Sequence, residues 1–160
     1  MNTSAQVMEE TIKYFDGDLK RINHLVKVYG FAKTIGELEG LDEKTQKILE
    51  ITAIIHDIGI KISEKRHNSS SGYYQLEGPN EARTLLEGLG IEDTIIDRVC
   101  WLIAHHHTYQ NIDKPDYQIL VEADFLVNAY EDNMDKNAIE SIKTKVFRTE
   151  SGRRLLDMMY

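Results

Sequence analysis

The sequence predicts an all-α domain, and three observations carry that expectation. Apolar residues recur at helical spacing along most of the chain. No stretch alternates with period two for long enough to make a strand. Breaker residues fall where the periodic segments stop, with only two prolines, Pro79 and Pro115, both between such segments.

Taken in order, a first helix spans Ser4 to Tyr14 and a second, apolar along its length, runs from Leu19 to Leu38 and stops near Gly40. Asp42 is a suitable N-cap for a third helix that reaches Ile58 and ends at Gly59. The polar stretch Asn68-Ser69-Ser70-Ser71-Gly72 reads as the centre of a loop over 60–78. Pro79 then opens a short helix to Leu89, stopped by Gly90. A fifth helix begins at Glu92 or Asp93 and reaches His107; a second loop covers 108–115. Asp116 to Tyr130 is apolar on nearly every side and is therefore expected at the centre of the bundle. Segments 136–147 and 149–159 complete the helical set.

Composition narrows the function classes. A length of 160 residues favours one domain over 1–160, and 41% apolar residues are enough for one core without disulfides. With 27 acidic against 19 basic residues the net charge is −8, which disfavours a nucleic acid polymer as partner. No apolar run approaches the length of a membrane span, and MNTSAQVMEET lacks the pattern of a signal peptide. The single cysteine, Cys100, fits a reducing compartment, so the expectation is a cytoplasmic protein. The amphipathic C-terminal segments suit a homodimer.

Four polar positions stand out against their apolar surroundings. His56-Asp57 ends the run Ile48-Leu49-Glu50-Ile51-Thr52-Ala53-Ile54-Ile55, an expensive place for two ionisable groups unless something binds them. His24 shares a helical stripe with Val28, Phe31 and Ile35. Asp124 has Leu120, Val121 and Val127 as helical neighbours, so its desolvation calls for an opposing charge. In His105-His106-His107, the phase of Ile95, Ile96, Val99, Leu102 and Ile103 turns His106 inward and His105 nearly opposite. His105 and His107 are left to solvent or to a pocket mouth. Singly, each fits a bland reading: a hydrogen-bonded couple, a core histidine, a carboxylate paired with a lysine. Together, on four helices and all of metal-ligand type, they point to a buried His/Asp centre for Mn, Fe, Co, Ni or Zn.

The order His24, His56-Asp57, Asp124, within His24-Leu25-Val26-Lys27-Val28, Ile54-Ile55-His56-Asp57-Ile58-Gly59, Ile103-Ala104-His105-His106 and Glu122-Ala123-Asp124, resembles the HD-domain superfamily of metal-dependent phosphohydrolases. The resemblance spans about 19–130, leaving 131–160 as C-terminal helices. It implies a helical bundle with His24, His56, Asp57 and Asp124 around one divalent transition metal, and hydrolysis of a nucleotide or other small phosphomonoester.

In many relatives a lysine follows the aspartate by three residues; Ile60 stands there and Lys61 comes one later. Two-metal relatives carry a further histidine where this chain has Glu77. The expected roles are therefore Asp57 as ligand and water-orienting group, His106 as proton donor or ligand, and Lys61 as catalytic or phosphate-steering charge. Glu77, His105 and His106 are candidates for a second ion or for substrate contact, and Arg66 and Arg98 for phosphate. The cluster Lys61, Lys65, Arg66 and His67 is expected to sit in a loop able to close over an anionic substrate. Other relatives imply two rivals, a di-iron oxygenase of the same fold and a nucleotide-binding regulatory module without turnover.

Overall fold

The computed structural model describes residues 4–67 and 74–160, with the side chains at 63, 65–67 and 74–76 outside that description. Among the described residues there are nine helices and no strand. They are α1 (Ser4–Phe15), α2 (Leu19–Leu38), α3 (Glu43–Ile55), α4 (Ile60–His67), α5 (Tyr74–Gly88), α6 (Asp93–His105), α7 (Pro115–Glu131), α8 (Lys136–Lys145) and α9 (Glu150–Met159). The all-α expectation holds. None of these helices is long and apolar enough to cross a membrane.

Local chemistry sets most boundaries. Asp18, Asp42, Asp135 and Thr149 cap α2, α3, α8 and α9 by accepting the backbone N–H three residues on. Gly40 and Gly90 take φ of +74° and +71°, the left-handed turn that releases the chain after α2 and α5. Pro115 occupies the first position of α7, where its missing N–H costs nothing.

α3 and α7 form the middle of the bundle. Every residue from Ile48 to Ile55 is buried, and α7 buries 11 of its residues, among them Tyr117, Leu120 and Val127. α2 packs on both, α6 lies against α3 and α5, and α1 covers the other side of α3. Buried Glu122 ties α7 to the start of α9. Its carboxylate accepts from Gln118 Nε2 (2.6 Å), the N–H groups of Arg148 (3.0 Å) and Thr149 (3.1 Å), and Thr149 Oγ1 (2.6 Å). One carboxylate thus gathers four donors from α7 and the α8–α9 connection, which pins that connection to the buried face of α7.

Three boundaries differ most from the sequence expectation. α3 stops at Ile55 rather than Ile58, because a tight turn follows in which Ile58 N–H bonds the Ile55 carbonyl (3.0 Å) and Ile60 N–H the Asp57 carbonyl (3.1 Å). Part of the expected 60–78 loop is helix α4, held by tertiary partners: Arg21 of α2 pairs with Glu64, and Lys61 Nζ donates to the Tyr14 carbonyl (3.1 Å). Pro79 lies inside α5 instead of opening it. It forgoes one hydrogen bond, while Gly78 beside it packs so closely on α6 that a Cβ would come 2.8 Å from Ile103 Cγ2. Residues 68–72, expected as the loop centre, lie outside the described residues.

Candidate metal centre

His24 comes from the middle of α2, His56 and Asp57 from the turn after α3, Asp124 from the middle of α7, and His106 and His107 from the end of α6. The Nε2 atoms of His24 and His56 lie 3.3 Å apart. Asp57 Oδ2 is 3.4 Å from the first and 3.3 Å from the second; Asp124 Oδ1 is 3.2 Å and 3.6 Å from them. On its other side Asp57 turns Oδ1 toward His106 Nε2, at 3.8 Å.

The opposite ring nitrogens fix the tautomers. His56 Nδ1 is 2.8 Å from the Ala53 carbonyl, His106 Nδ1 is 2.8 Å from the Ile103 carbonyl, and His24 Nδ1 is 2.6 Å from Glu131 Oε1. Carbonyls and carboxylates only accept, so each Nδ1 carries a proton and, in the neutral ring, each Nε2 offers a lone pair. The centre therefore gathers lone pairs and carboxylate oxygens facing one another, an arrangement that repels itself without a cation. Asp124 Oδ1 is buried and meets no donor in hydrogen-bonding geometry.

The donor set fits a metal ion. Ligands held about 2.0–2.2 Å from a common ion lie about 3.0–3.6 Å from one another, which is the spacing seen here. His24, His56 and Asp57 form one group able to hold an ion, and Asp57, His106 and His107 form a second that shares Asp57. Imidazole and carboxylate without thiolate suit Mn, Fe, Co, Ni or Zn.

Charge follows from the same contacts. Burial lowers the pKa of His24 and His56, but Asp57 and Asp124 outweigh it and raise both, His56 strongly. Burial alone would raise Asp57 and Asp124; the facing imidazoles bring both below the ordinary carboxylate range. His107 goes the other way. Burial, and then neighbouring His106, push it down to about 4, so it is a neutral ligand at pH 7.

A cavity of about 360 Å³ opens onto the centre, lined by Lys20, Arg21, His24, Asp57, Ile60, His107, Asp124, Asn128, Glu131 and Asp132. The structure thus brings His24, His56, Asp57, Asp124 and His106 together. The remaining candidates are placed elsewhere. Lys61 is turned to the Tyr14 carbonyl and ring, so its ammonium is held at α1, away from the cavity wall. Arg98 is held by Asp113 and Asp116 at 2.8 Å and lies over Trp101, where two carboxylates already use its charge. His105 stacks on Trp101 with centroids 4.0 Å apart, as the helical phase requires once His106 points inward. Glu77, in the first turn of α5, joins neither ligand group. The side chains of Lys65, Arg66 and His67 lie outside the described residues, and with them the expected closing loop.

His107, which the sequence left to solvent or to a pocket mouth, lines the cavity because the chain leaves the helix after His105 and keeps turning. One residue escaped the sequence reading. Glu131 orients His24 and is held by Lys27 at 3.0 Å. The signal for Glu131 was its position seven residues after Asp124, two turns along the same face of α7.

An all-helical bundle with a buried His/Asp centre assembled from four chain regions is the class of protein these observations define. The HD domain family model matches residues 21–141, and the chain belongs to that family. The fold is also that of the 1.45 Å crystal structure of a predicted HD superfamily hydrolase from an uncultured Thermotogales bacterium. That structure aligns with a TM-score of 0.67 and 22% identity over 98% of this chain and 84% of the other. No match was found among curated proteins.

Proposed function

We propose that this chain is a metal-dependent phosphohydrolase acting on a nucleotide or other small phosphomonoester. The observation that carries the reading is the convergence of the His24 and His56 Nε2 lone pairs with the carboxylates of Asp57 and Asp124, at the floor of a cavity whose wall includes Lys20 and Arg21. Family membership supports the reaction class.

His24, His56, Asp57 and Asp124 would hold the ion. When bound, it supplies Lewis acidity toward a phosphate oxygen and eases deprotonation of water near neutral pH. Asp57 faces both ligand groups, which suits it to orient an attacking water with the oxygen it does not commit. His106, buried and held in the Nδ1–H tautomer by the Ile103 carbonyl, turns its Nε2 toward Asp57 and is suited to serve as a ligand in the second group. His107, neutral at pH 7 and on the cavity wall, is suited to offer a lone pair to an ion rather than to take a proton.

The second ligand group, Asp57 with His106 and His107, favours one alternative, a two-ion centre of the di-iron oxygenase kind. The deciding experiment is a phosphatase screen over nucleotides and sugar phosphates with Mn, Fe, Co, Ni and Zn, alongside metal content of protein purified without added metal. Phosphate release that needs the metal and is lost in Asp57→Ala upholds the proposal. Two irons per chain with oxygen consumption and no phosphate release overturns it in favour of the oxygenase.

A further inference from the structure

We infer that Lys20 anchors the anionic end of the substrate at the cavity mouth and gives the centre a preference for dianionic phosphomonoesters. The inference rests on the phosphohydrolase reading and adds a residue that the sequence did not single out.

The argument begins with where the positive charge near the centre is already committed. Arg21 pairs with Asp18 at 2.8 Å and with Glu64. Lys27 is held by Glu131 at 3.0 Å. Lys61 donates to the Tyr14 carbonyl, and Arg98 is clamped by Asp113 and Asp116. Lys20 alone among the described cations both lines the cavity and forms no ion pair with a described residue. It stands four residues before His24, one turn toward the start of α2 on the same helix face, about 6 Å along the axis.

The cavity needs that charge. Asp57, Asp124, Glu131 and Asp132 all face it. Asp57 and Asp124 offset a bound divalent ion and Glu131 is satisfied by His24 and Lys27, which leaves Asp132 to repel an incoming phosphate. Without Lys20 a dianion would approach a mouth of like charge. A phosphomonoester carries about −1.5 to −2 at pH 7 and a diester only −1, so a single ammonium discriminates between them by charge alone.

The test uses the full chain loaded with its activating metal, as wild type, Lys20→Ala, Lys20→Arg and Lys61→Ala. p-Nitrophenyl phosphate and bis(p-nitrophenyl) phosphate are the substrates, and inorganic phosphate is the competitive inhibitor, its binding also read directly by calorimetry. Lys20→Ala is expected to raise KM for the monoester and Ki for phosphate about five- to tenfold, with kcat within about twofold. The logarithmic effect on the diester should be about half as large. Between about 50 and 300 mM salt the dependence of kcat/KM should flatten. Lys20→Arg should recover most of the loss, Lys61→Ala should match wild type, and metal per chain and circular dichroism should not change, since Lys20 is exposed.

Unchanged KM and Ki in Lys20→Ala overturn the role of Lys20 and leave the phosphohydrolase reading standing. A wild type that binds phosphate through Lys20 yet releases none from any ester upholds the anchor and overturns that reading. Failure of the wild type to bind phosphate or ester with every metal overturns both.

Discussion

Replacing Glu131 by Ala should weaken metal binding without touching a proposed ligand. Glu131 Oε1 accepts the His24 Nδ1 proton at 2.6 Å, short for such a bond and charge-assisted. This contact sets the tautomer that presents the His24 Nε2 lone pair to the centre, and raises the basicity of that nitrogen. Loss of such a partner typically costs 10- to 100-fold in metal affinity, about 1.4–2.8 kcal/mol. The Glu131 side chain is 23% exposed, so water can replace part of the contact and the lower half of that range applies. Glu131→Gln keeps an accepting oxygen but loses the charge, and should fall between wild type and Ala. Lys27→Ala is the control. It removes a pair at 3.0 Å whose lysine is 43% exposed, worth about 1 kcal/mol at most. The assay is competition for Zn or Mn against a chromophoric chelator at fixed pH, with circular dichroism to confirm the fold. Wild-type affinity in Glu131→Ala would refute the reasoning, as would Lys27→Ala weakening the metal as much as Glu131→Ala.

Three further outcomes follow from the same contacts. Metal affinity should fall as pH is lowered from about 8 to 6, because His24 and His56, raised above 6.5 by the carboxylates, must release protons when an ion binds; calorimetry in buffers of different ionisation enthalpy would count those protons. For the ion-free chain the sign reverses. The stability from these raised groups is fully present below 6.5, their unfolded value, and is lost as pH climbs through the folded values, so its melting temperature should drop over that window. Gly152→Ala should destabilise the chain by about 2 kcal/mol or more, since the new Cβ would come 1.9 Å from Glu122 Oε1 and force the carboxylate off its four donors; urea unfolding reads this directly. Arg98→Ala should lower stability by about 3 kcal/mol, because buried Asp116 loses its charged partner, while leaving KM for phosphoesters unchanged; a raised KM with unaltered stability would return Arg98 to the substrate.

How much of this was legible in the sequence depends on which interactions are local. Helix periods, the Asp42 cap and the Gly40 and Gly90 stops are set within a few residues, and those elements appear close to where the pattern puts them. His24, Asp57 and Asp124 were visible because polar groups inside apolar stripes need a partner. α4 was not visible: its polar sequence earns no helix on local grounds, and it forms where Arg21–Glu64 and Lys61–Tyr14 tie it to α2 and α1. Lys61 and Arg98 misled for a related reason. Proximity in sequence to the His-Asp pair, or a basic side chain on the right helix, says nothing about the carbonyl or carboxylates that claim the charge first.

The two histidines that end helices show what sequence can carry when a local device is repeated. His56 and His106 are the C-caps of α3 and α6, both still helical, with φ/ψ of −58°/−29° and −63°/−14°. Each bonds its Nδ1 to the carbonyl three residues back, Ala53 for one and Ile103 for the other, so each imidazole satisfies its own helix end while its tautomer is fixed. The consequence is directional. The C-terminal ends of α3 and α6 bring the two rings within 5.3 Å of each other, where the negative end of each helix dipole favours a cation. The apolar runs before His56 and His106 are therefore more than packing. They drive both helix ends into the interior, where the cost of two imidazoles and a carboxylate is one that a cation would offset.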